Sequence, residues 1–319
     1  MQALAKTFKQ LGHPDRLRIL AALQGGELSV SELVSVLDLS QPRITQYLAS
    51  LEAAGVVERL REGSWVFARL VRRGPLQAVV GAALNAVPAD DAQLHDDRQR
   101  LSDVREARAE DVRAFFADVA NNAGQLSHDF LPSAPIERAL LAAAGEGPFS
   151  HMVDFGTGSG RMLQLFAARV RRGTGLDLSA EMLRVARHQL AGEGTSHLTV
   201  RRGDITRTEL DNASADLVTL HHVLHYLDDP ASVLAEAARV LAPGGTLLVA
   251  DFAAHEHEAF RDAYAHRRLG FSPAEMEALI TAQGLSSETV TAHDVAPDAP
   301  TVLVWQARQP WDAQHRSAA

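Results

Sequence analysis

An α/β chain of two domains, a small helical domain with a β-hairpin ahead of a doubly wound parallel sheet, is what three features of this sequence predict. Short helical patterns fill residues 3–55 and run into two β-rich segments around a Glu-Gly turn. From His151 onward, apolar runs (MVDF, TGLDL, LTVRR, ADLVTL, TLLVAD) alternate with loops and helical stretches, the rhythm of a mostly parallel sheet. The length, 319 residues, exceeds what one hydrophobic core organises at ~100 to 200 residues per domain.

Composition excludes several classes. A hydrophobic fraction of 46% with 22% charged residues belongs to a folded globular protein. No apolar run is long enough to cross a bilayer, and the opening MQALAKTFKQ lacks the apolar core of a secretion signal, so a cytoplasmic location without membrane contact is expected. The absence of cysteine rules out disulfides, thiolate metal sites and a cysteine nucleophile. The net charge of −9 argues against a uniformly basic coat. Residues 1–75, however, carry ten Lys/Arg against seven Asp/Glu, or +3, which leaves −12 for the remainder.

Leu4/Phe8/Leu11 and Leu17/Leu20/Leu23, separated by Gly12-His13-Pro14 and stopped by Gly25-Gly26, predict two short helices. Ser29 and Glu32 form a capping-box pattern ahead of Leu33, Val36 and Leu37. Ser40 with Pro42 opens a longer helix that Gly55 closes, completing a helix-turn-helix. The hairpin over 56–70, turning at Glu62-Gly63, is read as a wing. Residues 75–87 lack charge and are rich in Ala and Val, so this helix is expected to bury most of its surface, against a second copy in a homodimer. The acidic stretch Pro88 to Asp97 reads as a linker. The domain boundaries expected are therefore 1–87, a linker over 88–100, a second domain over 101–308 opening on the amphipathic set Leu101, Val104, Val112, Phe115, Phe116 and Val119, and a tail over 309–319.

On the helix from Ser40, Ile44, Leu48 and Leu51 share one face, which turns Gln46 outward with Arg43 and Thr45 beside it. Gln41, Arg43, Thr45 and Gln46 are thus candidates for reading base edges of double-stranded operator DNA, Arg43 foremost, while Arg59, Arg61 and Arg69 on the wing can meet phosphates. The runs Asp15–Leu20, Glu27–Leu33, Gln41–Ile44 and Arg61–Val66 resemble the arsenical-repressor (ArsR) winged-helix family over about residues 3–87. Members that sense soft metals carry cysteines where this chain has Ser29 and Ser31, so the resemblance does not imply soft-metal sensing here.

The strongest motif is Val153-Asp154-Phe155-Gly156-Thr157-Gly158-Ser159-Gly160, an apolar strand delivering a glycine-lined loop into a helix. A dinucleotide fingerprint would need glycine where Arg161 stands, and Asp154 would repel a pyrophosphate. S-adenosylmethionine instead carries an ammonium and a sulfonium, which an acid ahead of the glycines can neutralise; Asp154 is the candidate. Asp177, at the end of the second strand, can accept both ribose hydroxyls, and Asp204, after the third, can accept from the adenine amino group. Each acid has an ordinary alternative as a cap or turn residue. Candidate contacts are completed by Gly156, Thr157, Gly158, Gly160, Leu178, Met182, Gly203, Ile205 and His221. Together with Ala215–Val218, His221–His225 and the Pro243-Gly244-Gly245 turn, these residues resemble the class I S-adenosylmethionine-dependent methyltransferase family from His151 to Arg308. The resemblance implies a Rossmann-like seven-stranded sheet with its last strand antiparallel, holding S-adenosylmethionine or S-adenosylhomocysteine.

Methyl transfer from a sulfonium needs little acid/base machinery, so no catalytic motif is demanded. His221, His222 and His225 are candidate general bases among polar strand-end residues that include Tyr226, Asp251 and His255. His222 with His225, or His255 with His257, has tolerable spacing for a metal but lacks a third ligand, so no metal site is expected. Asn121-Asn122-Ala123-Gly124, where related fusions carry an aromatic-acidic pair, is expected to line an acceptor site. Two readings follow: a dimeric transcriptional regulator with the cofactor as effector, or a working methyltransferase on a small-molecule or protein acceptor with an accessory DNA-binding domain.

Overall fold

A computed structural model describes residues 2–71, 75–88, 90–121, 134–192, 194–294 and 299–311. The chain divides into two compact units, Met1–Asp111 and Val112–Ala319. No helix among the described residues is long and apolar enough to cross a membrane.

The first unit follows α1 (Gln2–Leu11), α2 (Pro14–Ala22), β1 (Leu28–Ser29), α3 (Val30–Leu37), α4 (Gln41–Ala53), β2 (Val57–Glu62), β3 (Trp65–Leu70), α5 (Pro75–Asn85) and α6 (Ala92–Asn121). The capping box forms as expected: the Ser29 hydroxyl accepts the Glu32 N–H at 3.2 Å, and the Glu32 carboxylate accepts the Ser29 N–H at 2.7 Å. Asp38, in the left-handed region at φ 53°, then turns the chain into α4, whose Ile44, Leu48 and Leu51 are fully buried against Leu20, Leu33 and Val36. β2 and β3 make the wing hairpin, and the two-residue β1 adds a third strand beside β3.

One expectation here changes. The stretch read as a linker becomes helix from Ala92, and the division between units falls within α6, at 111/112. Leu94 and Leu101 are buried, and Leu101 joins the first core rather than opening the second domain. The reason is a buried ion pair: Asp97 holds Arg18 through Nε at 2.6 Å and Nη2 at 2.8 Å, and Arg18 also donates to the Leu37 carbonyl at 2.6 Å. An acid in an acidic stretch reads as solvated unless its distant cation is known. In α5, Val80 is buried within the chain, Leu76, Val79, Ala83 and Leu84 are half-buried, and Gln77, Ala78 and Ala82 are exposed.

The second unit adds α7 (Ala134–Ala144), β4 (Met152–Phe155), α8 (Arg161–Phe166), β5 (Gly173–Asp177), α9 (Ala180–Gln189), β6 (Leu198–Arg202), β7 (Ala215–His221), α10 (Pro230–Val240), β8 (Leu241–Phe252), α11 (Ala259–Tyr264), α12 (Pro273–Ala282), β9 (Ser286–His293) and β10 (Val302–Arg308). Its seven strands run β6-β5-β4-β7-β8-β10-β9, with β10 antiparallel to both neighbours and the described pairs β4–β5, β4–β7, β5–β6 and β7–β8 parallel. Both faces are covered. Val153, Phe155, Leu220, Val249 and Trp305 pack with Val233, Leu234 and Met276 on one side, while Met152, Leu217, Leu248 and Val304 pack with Ile136, Leu140 and Phe166 on the other. The order reverses between β5 and β7 on either side of β4, so a crevice opens at the carboxyl ends of these strands, where open α/β sheets bind ligands. Of the expected acceptor-lining stretch, Asn121 ends α6 exposed, and Asn122, Ala123 and Gly124 lie outside the described residues.

Candidate functional site

β4 delivers its chain into a loop that only glycine permits. Gly156, Gly158 and Gly160 have φ of 70°, 50° and 82°, and a Cβ on Gly156 would sit 2.5 Å from Val223 Cγ2. The loop is pinned to β5 by the Gly156 and Thr157 N–H groups, which donate to the Leu176 carbonyl at 2.8 and 2.9 Å. The helix it enters, α8, is only six residues long, and Arg161 at its start pairs with the buried Glu137 at 2.7 Å.

Asp154 is 1% exposed at the end of β4. Its Oδ1 accepts the Thr219 hydroxyl at 2.6 Å, and its Oδ2 is buried with the Thr157 side chain near it. Burial pushes its pKa up to about 6. Asp177 lies at the end of β5, where Oδ2 accepts the Gly158 N–H at 2.8 Å and Oδ1 accepts the Ser179 N–H at 2.9 Å. Burial raises this carboxyl as well, against those backbone bonds. Each oxygen keeps a further lone pair. Next to it Leu178 is 57% exposed, an apolar side chain without cover, and a Cβ on Gly158 would meet Met182 Cε at 3.4 Å. The Gly203 N–H donates to the Asp177 carbonyl at 3.0 Å, tying the β6 end to the β5 end; Ile205 is buried beyond it. Asp204 is exposed, and its Oδ1 accepts both the N–H and the hydroxyl of Thr206 at 2.8 and 2.7 Å, the turn role weighed for it above. His221, at the end of β7, has a buried Nε2 without a partner among the described residues.

The sequence-predicted set thus stands along the carboxyl ends of the adjacent strands β6, β5, β4 and β7. A buried carboxylate, a Cβ-free loop and a backbone-anchored acid beside an uncovered Leu are the features a cationic, ribose-bearing, aromatic-ended ligand needs, so the residues fit the methyl-donor nucleoside.

On the β7 and β8 side the polar strand-end residues form a nest of rings. His222 follows β7 with φ 55°, and its two ring nitrogens are buried with no partner among the described residues. His225 Nδ1 bonds Asp251 Oδ1 at 2.6 Å, and the fully buried Asp251 also accepts the Phe252 and Leu224 N–H groups at 2.8 and 3.0 Å. Burial opposes ionisation of Asp251, but the neighbouring His225 holds it below the usual carboxylate range. Burial lowers the imidazoles: His221 and His255 to about 4, and His222 and His266 well below the ordinary range. Phe116 packs on Tyr226 at 5.0 Å between ring centroids, and Phe252 packs on His222 at 4.7 Å. His266 and Thr219 are site residues that sequence reasoning missed. Neither stands in a motif; His266 arrives from a loop after α11, its ring 4.1 Å from that of His225.

In the first unit, Gln41, Arg43, Thr45 and Gln46 are all exposed on α4. Arg43 donates to Asp15 Oδ2 at 2.9 Å and to the Tyr47 hydroxyl at 3.2 Å. Thr45 bonds back to the Gln41 carbonyl at 2.9 Å. On the wing, Arg59 pairs with Glu52, Arg69 with Glu58 and Glu27, and Arg61 is exposed.

Comparison with known proteins divides the chain the same way. The arsR family of bacterial regulatory proteins matches residues 13–59, and a methyltransferase domain family matches residues 153–249. The chain is 39% identical over 100 residues to arsenic resistance transcriptional regulator ArsR1 of Pseudomonas putida, a match covering 31% of this chain and 77% of that protein. It is 33% identical over 125 residues to malonyl-(acyl-carrier protein) O-methyltransferase of Serratia marcescens, covering 39% of this chain and 47% of that protein. The chain therefore spans about half the length of the Serratia relative. In fold, a chain of the solved complex of the Haloferax volcanii Trm112 methyltransferase activator is similar with a TM-score of 0.51 and 24% identity, over 61% of this chain and 97% of that one.

Proposed function

The chain belongs to the arsR family of bacterial regulatory proteins and carries a class I methyltransferase domain behind it, and from that premise we propose a cytoplasmic transcriptional regulator. It binds operator DNA as a homodimer, and its second unit holds S-adenosylmethionine or S-adenosylhomocysteine as an effector. The observation that carries this reading is the buried Asp154 carboxylate beside the glycine loop, present in the same chain as an exposed Gln41/Arg43/Thr45/Gln46 helix face.

In this reading Asp154 balances the cationic end of the ligand, Asp177 accepts from the ribose, and Leu178 and Met182 cover the base. Gly156, Thr157, Gly158 and Gly160 let the backbone come close, and Gly203, Asp204, Ile205 and His221 border the site. The bound nucleoside supplies an activated methyl group in one form and none in the other. On the first unit, α4 reads base edges with Arg43 and its exposed neighbours, while Arg59 and Arg61 bind phosphates. The uncharged outer face of α5 supports the homodimer.

The test is affinity for the chain's own promoter DNA, measured by fluorescence anisotropy without ligand and with each ligand at saturation. A coupled effector changes the dissociation constant by roughly 5-fold or more, since coupling energies run about 1–3 kcal/mol. Equal affinity in all three conditions removes effector sensing. A second reading, an active methyltransferase on a small-molecule or protein acceptor, is supported by the ring-lined His221/His222/His225 cluster at the adjoining strand ends. Failure to transfer label from the donor to any lysate component, despite donor binding, removes that reading.

A further inference from the structure

The His222/His225 pair and Asp251 come together from different places: His222 from the residue after β7, His225 from the short turn Leu224–Tyr226, and Asp251 from β8. One ligand atom from each lies within 4.8 Å of the others. The spacing of the two histidines alone lacks a third donor, and the neighbouring strand supplies it. We propose that His222, His225 and Asp251 form a binding site for a divalent first-row transition metal of the Zn2+ class.

The hydrogen-bond inventory distinguishes this from an ordinary histidine-rich core. Buried polar groups are nearly always satisfied. Here both nitrogens of His222 and Nδ1 of His266 are buried without partners among the described residues, and the rings of His225 and His266 are 4.1 Å apart. Of the proposed ligands His222 carries the unmet nitrogens, and the fully buried Asp251 carboxylate lies within reach of it, an arrangement a cation would complete. The 2.6 Å bond from His225 Nδ1 to Asp251 is the contact such ligands make with each other when a shared proton stands between them. Two more donors hold Asp251 in place, the N–H groups of Leu224 and Phe252, as coordinating carboxylates are commonly held.

Donor chemistry selects the ion. Nitrogen and oxygen without sulfur disfavour soft cations, and Mg2+ and Ca2+ prefer all-oxygen sites. Three protein ligands also leave a coordination position open, which His266 or an oxygen of a bound molecule can take.

The test uses the full chain, stripped with a chelator, dialysed against Zn2+ alone and assayed for retained metal. The wild-type chain is expected to retain about one equivalent. His222→Asn is the informative variant, because asparagine tolerates the left-handed backbone at φ 55° and the His222 ring makes no hydrogen bond among the described residues. Its affinity is expected to fall on the order of 100-fold with circular dichroism unchanged. Co2+ gives a second readout, since a low-coordinate nitrogen/oxygen site produces visible absorption bands that His222→Asn and Asp251→Asn should abolish. Retention of no metal by the wild type overturns the proposal. So does equal retention by His222→Asn, which would assign the ion to others of the chain's 14 histidines.

Discussion

The polar residues of the two units are kept in opposite states. On the first unit Arg43, Arg59 and Arg69 of α4 and the wing are exposed or half-buried and matched to carboxylates that solvent reaches: Arg43 with Asp15, Arg59 with Glu52, Arg69 with Glu58. At the ends of β4 and β7 in the second unit several polar atoms are buried without a hydrogen-bond partner among the described residues, among them His221 Nε2 and both nitrogens of His222. A surface that repeatedly meets and leaves a polyanion can keep its cations in solvated pairs, each worth little. A ligand cradle instead carries polar demand that costs stability until the ligand arrives. Substitutions should therefore act with opposite signs: neutralising the cradle stabilises the empty protein, and neutralising the surface arginines leaves its stability nearly unchanged.

The largest effect tests the exception in the first unit, the buried Arg18–Asp97 pair. Their side chains are 11% and 5% exposed. Asp97→Ala leaves the Arg18 guanidinium buried with only Asp15 and the Leu37 carbonyl, and breaking such a pair costs about 3–5 kcal/mol. Urea unfolding followed by circular dichroism measures it. A loss under about 1 kcal/mol would class the pair with the surface ones.

That pair also shows where the sequence stops being legible. Local signals carried the Ser29/Glu32 capping box, the wing hairpin, the glycine loop and the strand-end acids, because caps, turns and sheet periodicity are written within a few residues. α6 was hidden because the partner of Asp97 lies 79 residues away and an acidic stretch carries no sign of it. Thr219, which donates to Asp154 across the sheet, was hidden for the same reason, since strand register is set by tertiary pairing. The same holds for the grouping of Asp251 with His222 and His225: the spacing along the chain gave two of its three members.

An intermediate effect comes from Asp154. In the unfolded chain its carboxyl titrates near 3.9, and in the fold burial moves it to about 6. Between those values the folded state binds the extra proton, so the contribution of Asp154 to stability declines as pH rises from about 4 to about 6 and stays unfavourable at neutral pH. At about 1.4 kcal/mol per unit the cost is roughly 2–3 kcal/mol. Asp154→Asn should remove it, raising the stability of the ligand-free protein at pH 7 by about 1–2 kcal/mol while weakening S-adenosylmethionine binding. The difference in stability between wild type and variant should shrink as the pH is brought down to about 4. A variant less stable than wild type at pH 7 would mean that Asp154 works for the fold rather than against it.

The smallest effects belong to the surface arginines, and they are read in DNA affinity rather than stability. Arg43→Ala removes an exposed pair with Asp15, so unfolding should change by less than about 0.5 kcal/mol. If Arg43 reads a guanine, operator affinity should drop by about 1–3 kcal/mol and discrimination at one base pair should relax. Arg59→Ala should instead weaken specific and non-specific DNA alike and reduce the salt dependence of binding by about one ion, the mark of a phosphate contact. Because Arg59 in the free protein is held by Glu52, Glu52→Gln should act in the reverse direction, releasing the guanidinium and tightening DNA binding modestly at low salt. If Arg59→Ala and Glu52→Gln both left the salt dependence untouched, the wing arginine would be a partner of its own helix and not of DNA.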